Sequence, residues 1–380
     1  MSSQDAIEIA ADTISQVKRG VRADEVLRRQ FSEISSHDRF LRREVSLIVF
    51  QYFRWLGLVD DKEPIISRLR SADELSEKFL SDPQAFGDGQ LKSLVPDWLD
   101  DQMTVTNDWI RSIQHLPSLW VRFRREAIKS VDTLAGPLMP ESPSPGRGAY
   151  EYVGEADLFQ TPEFREGAFE IQDLSSQWVG FFCDPKPGES WWDVCAGEGG
   201  KFLDLADRME NRGLIWVTDR SPWRLKRLKH RAARAKVFNY RSRLADLSRG
   251  VPFKVKFDGV IVDAPCSGIG TWHRNPDARW TTTPEDIAEL ASLQKSILKN
   301  AAAQVKAGGR LVYAVCTLAT KETVEIADWF DAEMPDFVPL NLPDPGLEGN
   351  SAWPSSDSRR WLGGAVGEGN GMFVAACRRS

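Results

Sequence analysis

The sequence predicts an α/β protein in which a parallel sheet, covered by helices on both faces, follows an all-helical region. Two observations carry that reading. From about residue 176, short apolar runs of strand length alternate with helical segments, the pattern of strands joined by crossover helices. Between residue 5 and about residue 90, no strand alternation interrupts the helical periodicity. A chain of 380 residues also exceeds one ordinary hydrophobic core, so two or three domains are expected.

In the first region Ile7, Ala10, Ile14 and Val17 follow the helical period. So do Leu41, Val45, Ile48, Val49, Tyr52 and Leu56, and Gly57 stops that helix. Pro96-Asp97-Trp98-Leu99 opens a further helical stretch, and a strand follows in which Leu119, Val121 and Phe123 alternate with Trp120, Arg122 and Arg124. Residues 136–148 hold four prolines and three glycines and read as a loop or linker. Strands are expected at 191–194, 214–218, 257–262 and 310–315. Helices are expected at about 202–210, 221–235, 284–306 and 321–334. The Pro, Gly and Ser content of 341–371 predicts a long loop before a last strand at 372–377. No internal repeat is present.

Composition narrows the class. With 42% hydrophobic and 27% charged residues the chain reads as an ordinary globular protein. No apolar run approaches the roughly 18 residues of a membrane span, and the first residues lack the features of a secretory signal. Five scattered cysteines form neither a disulfide framework nor a Cys-x-x-Cys pair, so reduced thiols and a cytoplasmic location are expected, with no metal site. Cys183 and Cys377 read as small buried hydrophobes. The net charge is −6, yet residues 220–243 hold ten Lys or Arg and no acid. Such a run is usually a solvated helix face; without a counter-charge it also suits phosphate contact.

Asp193-Val194-Cys195-Ala196-Gly197-Glu198-Gly199-Gly200-Lys201 follows a strand and opens a helix. Small residues there let the backbone approach a cofactor, and the helix start favours an anionic group, although packing turns look alike. Asp219 ends the next strand, where an acid can hold ribose hydroxyls or cap the helix opened by Ser221-Pro222. Asp246 can accept from an adenine amine or serve as a turn residue. Asp193, Asp219, Asp263 and Cys316 all fall at strand carboxyl ends, where ligands of parallel sheets bind. In Asp263-Ala264-Pro265-Cys266-Ser267-Gly268 a thiol stands where an amino-group methyltransferase would place an aromatic. A second thiol, Cys316, ends Leu311-Val312-Tyr313-Ala314-Val315. Thiols beside a nucleotide-type cofactor suit methylation at carbon 5 of a pyrimidine, a poor nucleophile until a thiolate adds to carbon 6. His273 and Arg274, in the polar loop after Cys266, are available for phosphate.

Together these motifs resemble the RNA 5-methylcytosine methyltransferase family, in particular its bacterial Sun/Fmu, RsmB-like branch. The resemblance is carried by 193–201, by Asp263–Gly268 with Arg274-Asn275-Pro276-Asp277, and by Val312–Cys316. Gln172-Asp173-Leu174-Ser175-Ser176 is similar to the family's lead-in, and Asp38-Arg39 with Phe53-Arg54-Trp55 to its helical domain. The sequence departs from the pattern at Gly197-Glu198 (usually Ala-Pro), Phe202 (Thr), His273 (Arg), Ala314-Val315 (Ser-Thr) and Thr320–Glu325 (Pro-Glu-Glu-Asn-Glu).

The resemblance implies a NusB-like helical RNA-binding domain over 1–92, a small α+β linking domain over 93–175 and a Rossmann-like S-adenosylmethionine-dependent methyltransferase domain over 176–380. It implies cofactor contacts from Cys195, Ala196, Gly197, Glu198, Gly199, Gly200, Lys201, Asp219, Arg224, Asp246 and Asp263. RNA contacts are expected from Arg122, His273 and Arg274, and catalysis from Cys316, Cys266, Asp263 and Lys201. Cys316 is expected to attack carbon 6 and Cys266 to assist release; by analogy with DNA cytosine-5 methyltransferases the roles would be reversed. The implied substrate is ribosomal RNA, with transfer RNA open, and a monomer is expected. A non-catalytic RNA-binding assembly factor, or an adenosylmethionine enzyme acting on a protein or small molecule, are the competing readings.

Overall fold

The computed structural model describes residues 4–34, 38–134, 136–140, 145, 148–345, 356–364 and 369–380. The chain forms two compact units, one of residues up to 116 together with 271–286, the other of 117–270 and 287 onward. Residues 93–175, expected as one linking domain, are therefore shared between the two.

The first unit holds α1 (Gln4–Gln16), α2 (Ala23–Glu33), α3 (Arg39–Trp55), α4 (Ile65–Ser81), α5 (Asp88–Lys92) and α6 (Asn107–Ser112). Asp38 caps α3 by accepting from the Leu41 N–H, and Thr106 caps α6 through the Trp109 N–H. The helical stripe predicted at 41–56 faces inward, where Val45, Val49, Tyr52 and Phe53 pack on Ala6 and Ala10 of α1. Trp55 stacks against Phe79 and Phe86 at 5.5 and 5.2 Å.

In the second unit β1 (Leu119–Phe123), β2 (Leu138–Pro140), β3 (Ala149–Tyr152) and β4 (Phe169–Ile171) form an antiparallel sheet in the order β2-β3-β1-β4, with the short helix α7 (Pro162–Arg165) before β4. Then follow α8 (Leu174–Cys183), β5 (Ser190–Asp193), α9 (Gly200–Arg208), β6 (Leu214–Asp219), α10 (Pro222–Arg234), β7 (Tyr240–Leu244) and β8 (Phe257–Asp263). After α11 (Ala278–Thr281), which belongs to the first unit, come α12 (Pro284–Ala302), β9 (Val305–Val315), α13 (Val324–Glu333), β10 (Phe337–Pro339), β11 (Arg359–Leu362) and β12 (Met372–Arg379). The main sheet runs β10-β12-β9-β8-β5-β6-β7, with β11 beside β12. Pairing from β9 to β7 is parallel and around β12 antiparallel. In β5 the adjacent Trp191 and Trp192 are both fully buried, each in the core of a different sheet face, as strand alternation requires.

The sheet starts at Ser190. The apolar stretch before it is α8, which is almost wholly buried and so carries no polar stripe to mark it as a helix. Strand β7 was hidden because Tyr-Arg-Ser-Arg-Leu at an exposed sheet edge has no apolar run. The expected linker contains β2, while 141–144 and 146–147 lie outside the described residues. The expected tail loop contains β11, and its residues 346–355 and 365–368 also lie outside them.

Residues 271–286, between β8 and α12, complete the helical unit. Trp272 is fully buried against Trp98 and Trp109 at 6.3 and 6.2 Å. Arg279, also fully buried, donates to the Arg54, Leu94 and Ile113 carbonyls, and the Trp280 indole donates to the Phe53 carbonyl at 2.7 Å. Asp277 accepts from the Ala23 N–H at 2.9 Å and so caps α2 from a distant part of the chain. Trp272→Ala is expected to destabilise the helical unit by about 3–5 kcal/mol, read as a lower urea midpoint for the unfolding of α1–α4.

Candidate active site

The connections from β5 run through β6 to β7 on one side, and β8 then returns to the other side of β5. That switch opens a crevice at the carboxyl ends of β5 and β8, where Asp193 and Asp263 end their strands. The turn after Asp193 needs left-handed backbone at Gly197 (φ 54°) and Gly199 (φ 89°). Nothing lies within 4 Å of where a Cβ would stand at Gly197 or Gly200, so the turn is open on that side. Asp219 fastens it: one carboxylate oxygen accepts from the Gly197 N–H at 2.9 Å, the other from the Ser221 N–H at 2.7 Å. Each oxygen keeps a second lone pair for a ligand hydroxyl.

The departures from the family pattern are absorbed by packing. Glu198 accepts from Arg227 of α10 at 2.9 Å, and its carbonyl takes Arg231 at 3.2 Å. Phe202 is fully buried, with its ring 5.0 Å from that of Tyr240. Ala314 and Val315 are fully buried and pair with Val374 and Phe373 of β12.

Lys201, in the first turn of α9, is buried and donates to Asp263 at 2.7 Å and to Ser176 at 3.4 Å. Burial opposes its charge, but Asp263, with Cys316 and Asp193 behind it, outweighs burial and holds its pKa above the usual value. The two motif thiols meet: Cys266 Sγ lies 3.3 Å from Cys316 Sγ. The Cys266 hydrogen bond lowers the Cys316 pKa; burial and Asp263 push against this, and Lys201 adds to it. Cys266 is driven the other way by the same bond and by burial. The pair therefore favours a Cys316 thiolate beside a protonated Cys266. Cys195 stays a thiol, its pKa raised by burial and then by Asp193.

Glu322 is the site residue that sequence reasoning missed. It is fully buried and accepts from the Ser267 N–H at 2.9 Å, the Ser267 hydroxyl, Gln294 at 2.9 Å and Thr317 at 3.1 Å. It thus joins the loop carrying Cys266 to the residue after Cys316. Gln294 also donates to the Pro265 carbonyl at 2.9 Å, and the Ala264 N–H to the Ala314 carbonyl at 3.0 Å. The one signal for Glu322 was an acid six residues after the second thiol, in a segment read only as a departure.

The crevice holds more acids than cations. Asp193 is buried, and its pKa rises to about 8 through burial and the nearby Asp263, with Lys201 and the Phe202 amide pulling the other way. Asp193, Asp219 and Asp263 face a single ammonium. A cationic ligand fits such a site, and S-adenosylmethionine, with a sulfonium and an ammonium, has that charge. Asp246 is exposed and caps the turn at 247–249 through the Ser248 N–H and hydroxyl, at 3.1 and 2.6 Å; those bonds lower its pKa. Arg224 is exposed on the first turn of α10.

Two of the expected RNA contacts need correcting. Arg122 is buried, donates to Gln172 at 2.7 Å and lies 3.7 and 3.5 Å from Asp204 and Asp207, so its charge is spent inside the fold. His273, in the helical unit, has its pKa lowered to about 3 by burial and then by Arg274, Arg54 and Arg279, so it carries no charge for phosphate at neutral pH. Arg274 is half-buried in the same unit.

The profile of the 16S rRNA methyltransferase RsmB/F family matches residues 181–377. The chain belongs to this family. It is 30% identical over 324 residues to the ribosomal RNA small subunit methyltransferase B of Klebsiella pneumoniae subsp. pneumoniae, across 81% of this chain and 70% of that one. It is 44% identical over 167 residues to the probable ribosomal RNA small subunit methyltransferase B of Synechocystis sp., across 43% of this chain and 37% of the relative's length. A solved methyltransferase homolog from Pyrococcus horikoshii shares 26% identity at a TM-score of 0.61, over 72% of this chain and 90% of that one. The Rossmann-like methyltransferase fold behind a helical region is thus the fold of this RsmB/F family member. Among the described residues no group of three or more His, Cys, Asp or Glu could hold a metal, and no helix is long and apolar enough to cross a membrane.

Glu322→Ala would leave the Ser267, Gln294 and Thr317 donors without their acceptor. The expected cost is about 3 kcal/mol of stability in urea denaturation, with a smaller loss for Glu322→Gln.

Proposed function

We propose that the protein is an RNA (cytosine-5-)-methyltransferase acting on small-subunit ribosomal RNA, with S-adenosylmethionine as methyl donor. The observation that carries this reading is the thiol pair 3.3 Å apart beside the Lys201–Asp263 ion pair. Family membership and the names of the relatives support the substrate class.

Carbon 6 of a stacked cytidine is out of reach, so the target is unpaired or flipped. Cys316, as thiolate, adds to carbon 6, and the electron pair moves onto the nitrogen edge of the ring. Asp263 and Lys201 hold that edge, and the Lys201 ammonium stabilises the negative charge formed there. Carbon 5 is then nucleophilic. When bound, S-adenosylmethionine supplies the electrophilic methyl group for that carbon. Asp193 and Asp219 would match its cationic and hydroxyl groups, and the open turn at 195–201 its methionine portion. Loss of the carbon 5 proton to a base expels Cys316, and Cys266, kept protonated by the same contact, assists release.

Methyl transfer from labelled adenosylmethionine to unmodified ribosomal RNA tests the reading. Labelled 5-methylcytidine is expected from wild type and none above background from Cys316→Ala. Label in protein, or in no RNA despite bound cofactor, would contradict it.

The pH dependence follows from the thiolate. Because the Cys316 pKa is lowered from 9.0, the acidic limb of kcat/KM should lie below pH 9. Lys201→Met removes a cation that favours the thiolate, so the limb should move to higher pH, measured in single-turnover profiles with and without the substitution.

A further inference from the structure

We propose that the outer face of α10, continued by Lys236 and the outer edge of β7, is a track for the RNA backbone, separate from the thiol crevice; the inference rests on the RNA reading above. Of the ten cations of 220–243, Arg241 lies over the Trp216 ring at 5.5 Å, and the other nine divide into two groups. Arg231 and Arg234 turn to Glu170 at 2.8 and 2.5 Å, and Arg227 turns to Glu198 at 2.9 Å. Arg220, Arg224, Lys226, Lys229, Lys236 and Arg243 are all exposed and form no ion pair with any described residue.

Helical spacing explains the division. Leu225, Leu228 and Ala232 bury the inner face of α10, which leaves Lys226 and Lys229 on the outer one. Lys226 and Lys229 stand three residues apart, a like-charge spacing that costs helix stability. A chain of net charge −6 that keeps Lys226 and Lys229 exposed and uncompensated as neighbours on α10 presents a surface complementary to a polyanion.

Exposed aromatics stand at the two ends. Trp223, 45% exposed, lies in the first turn with the Arg227 guanidinium 5.4 Å over its ring, and Phe238, 76% exposed, follows the last turn. Over the 13 residues of α10 the track is about 20 Å long, enough for several nucleotides. Such aromatics stack bases without sequence preference, while the cations contact phosphates. Arg220 follows Asp219 directly, so the track starts at the ligand-binding end of the sheet. Cations on β7 also blunt an exposed sheet edge, so the weight of the inference falls on Lys226, Lys229 and Lys236.

The test compares wild type with Lys226→Gln/Lys229→Gln/Lys236→Gln on in vitro transcribed, unmodified small-subunit ribosomal RNA. The dissociation constant is measured across a salt series, with KM, kcat and adenosylmethionine affinity alongside. The triple variant should bind RNA at least about tenfold more weakly and lose roughly 2 from the slope of log affinity against log salt, since single-stranded contacts contribute about 0.7 each. Its kcat and cofactor affinity should be unchanged, and Arg at all three positions should restore binding. RNA that is bound and methylated by wild type, with the same affinity and slope in the variant, overturns the track alone. Wild type that binds no RNA overturns both readings. Polyglutamate that displaces RNA at equal charge concentration assigns the surface to acidic protein instead.

Discussion

A buried ammonium sets the terms of this site. Lys201 enters the crevice from the first turn of α9 and is kept charged there by Asp263 at 2.7 Å. Around that pair the fold gathers the end of β5, the end of β8 and the residue after β9, so three strands each contribute one acid or thiol. The thiol contact depends on the same arrangement: Cys266 lowers the Cys316 pKa first and Lys201 adds to it, against the opposing effects of burial and Asp263. Without the ammonium, the acids Asp263 and Glu322 would push both thiols toward the protonated form.

Much of this was legible in the chain. The thiols, Lys201 and Asp263 sit at turns whose small residues and strand-ending positions mark them, and the apolar strands β5, β6, β8 and β9 are fixed by runs that only a covered parallel sheet can bury. What stayed hidden has physical causes. Glu322 acts through a buried network that no local pattern announces. Arg122 looked like a surface cation because strand alternation cannot tell a solvent face from a second, polar interior where Gln172, Asp204 and Asp207 wait. The loop after Cys266 read as a phosphate-binding segment, whereas Trp272, Asp277 and Arg279 make it part of the helical unit.

Charge is distributed with the same economy. The acids that compensate the basic run, Glu170 and Glu198, both secure structure: Glu170 is buried in β4 and Glu198 stands in the open turn. The turn that would hold the cofactor is therefore tied to the basic helix through Arg227 and Arg231. Where the sequence resemblance leads one to expect Ala-Pro, Gly197-Glu198 gives that turn an ion pair to α10.

The central claim is that Cys316, and not Cys266, bonds to the base. RNA carrying 5-fluorocytidine tests it most directly, because fluorine at carbon 5 cannot leave as a proton and the thiol adduct persists. Mass-spectrometric mapping of the wild-type protein cross-linked to that RNA should place the nucleotide on Cys316. A nucleotide found on Cys266 would contradict the claim and reverse the two roles.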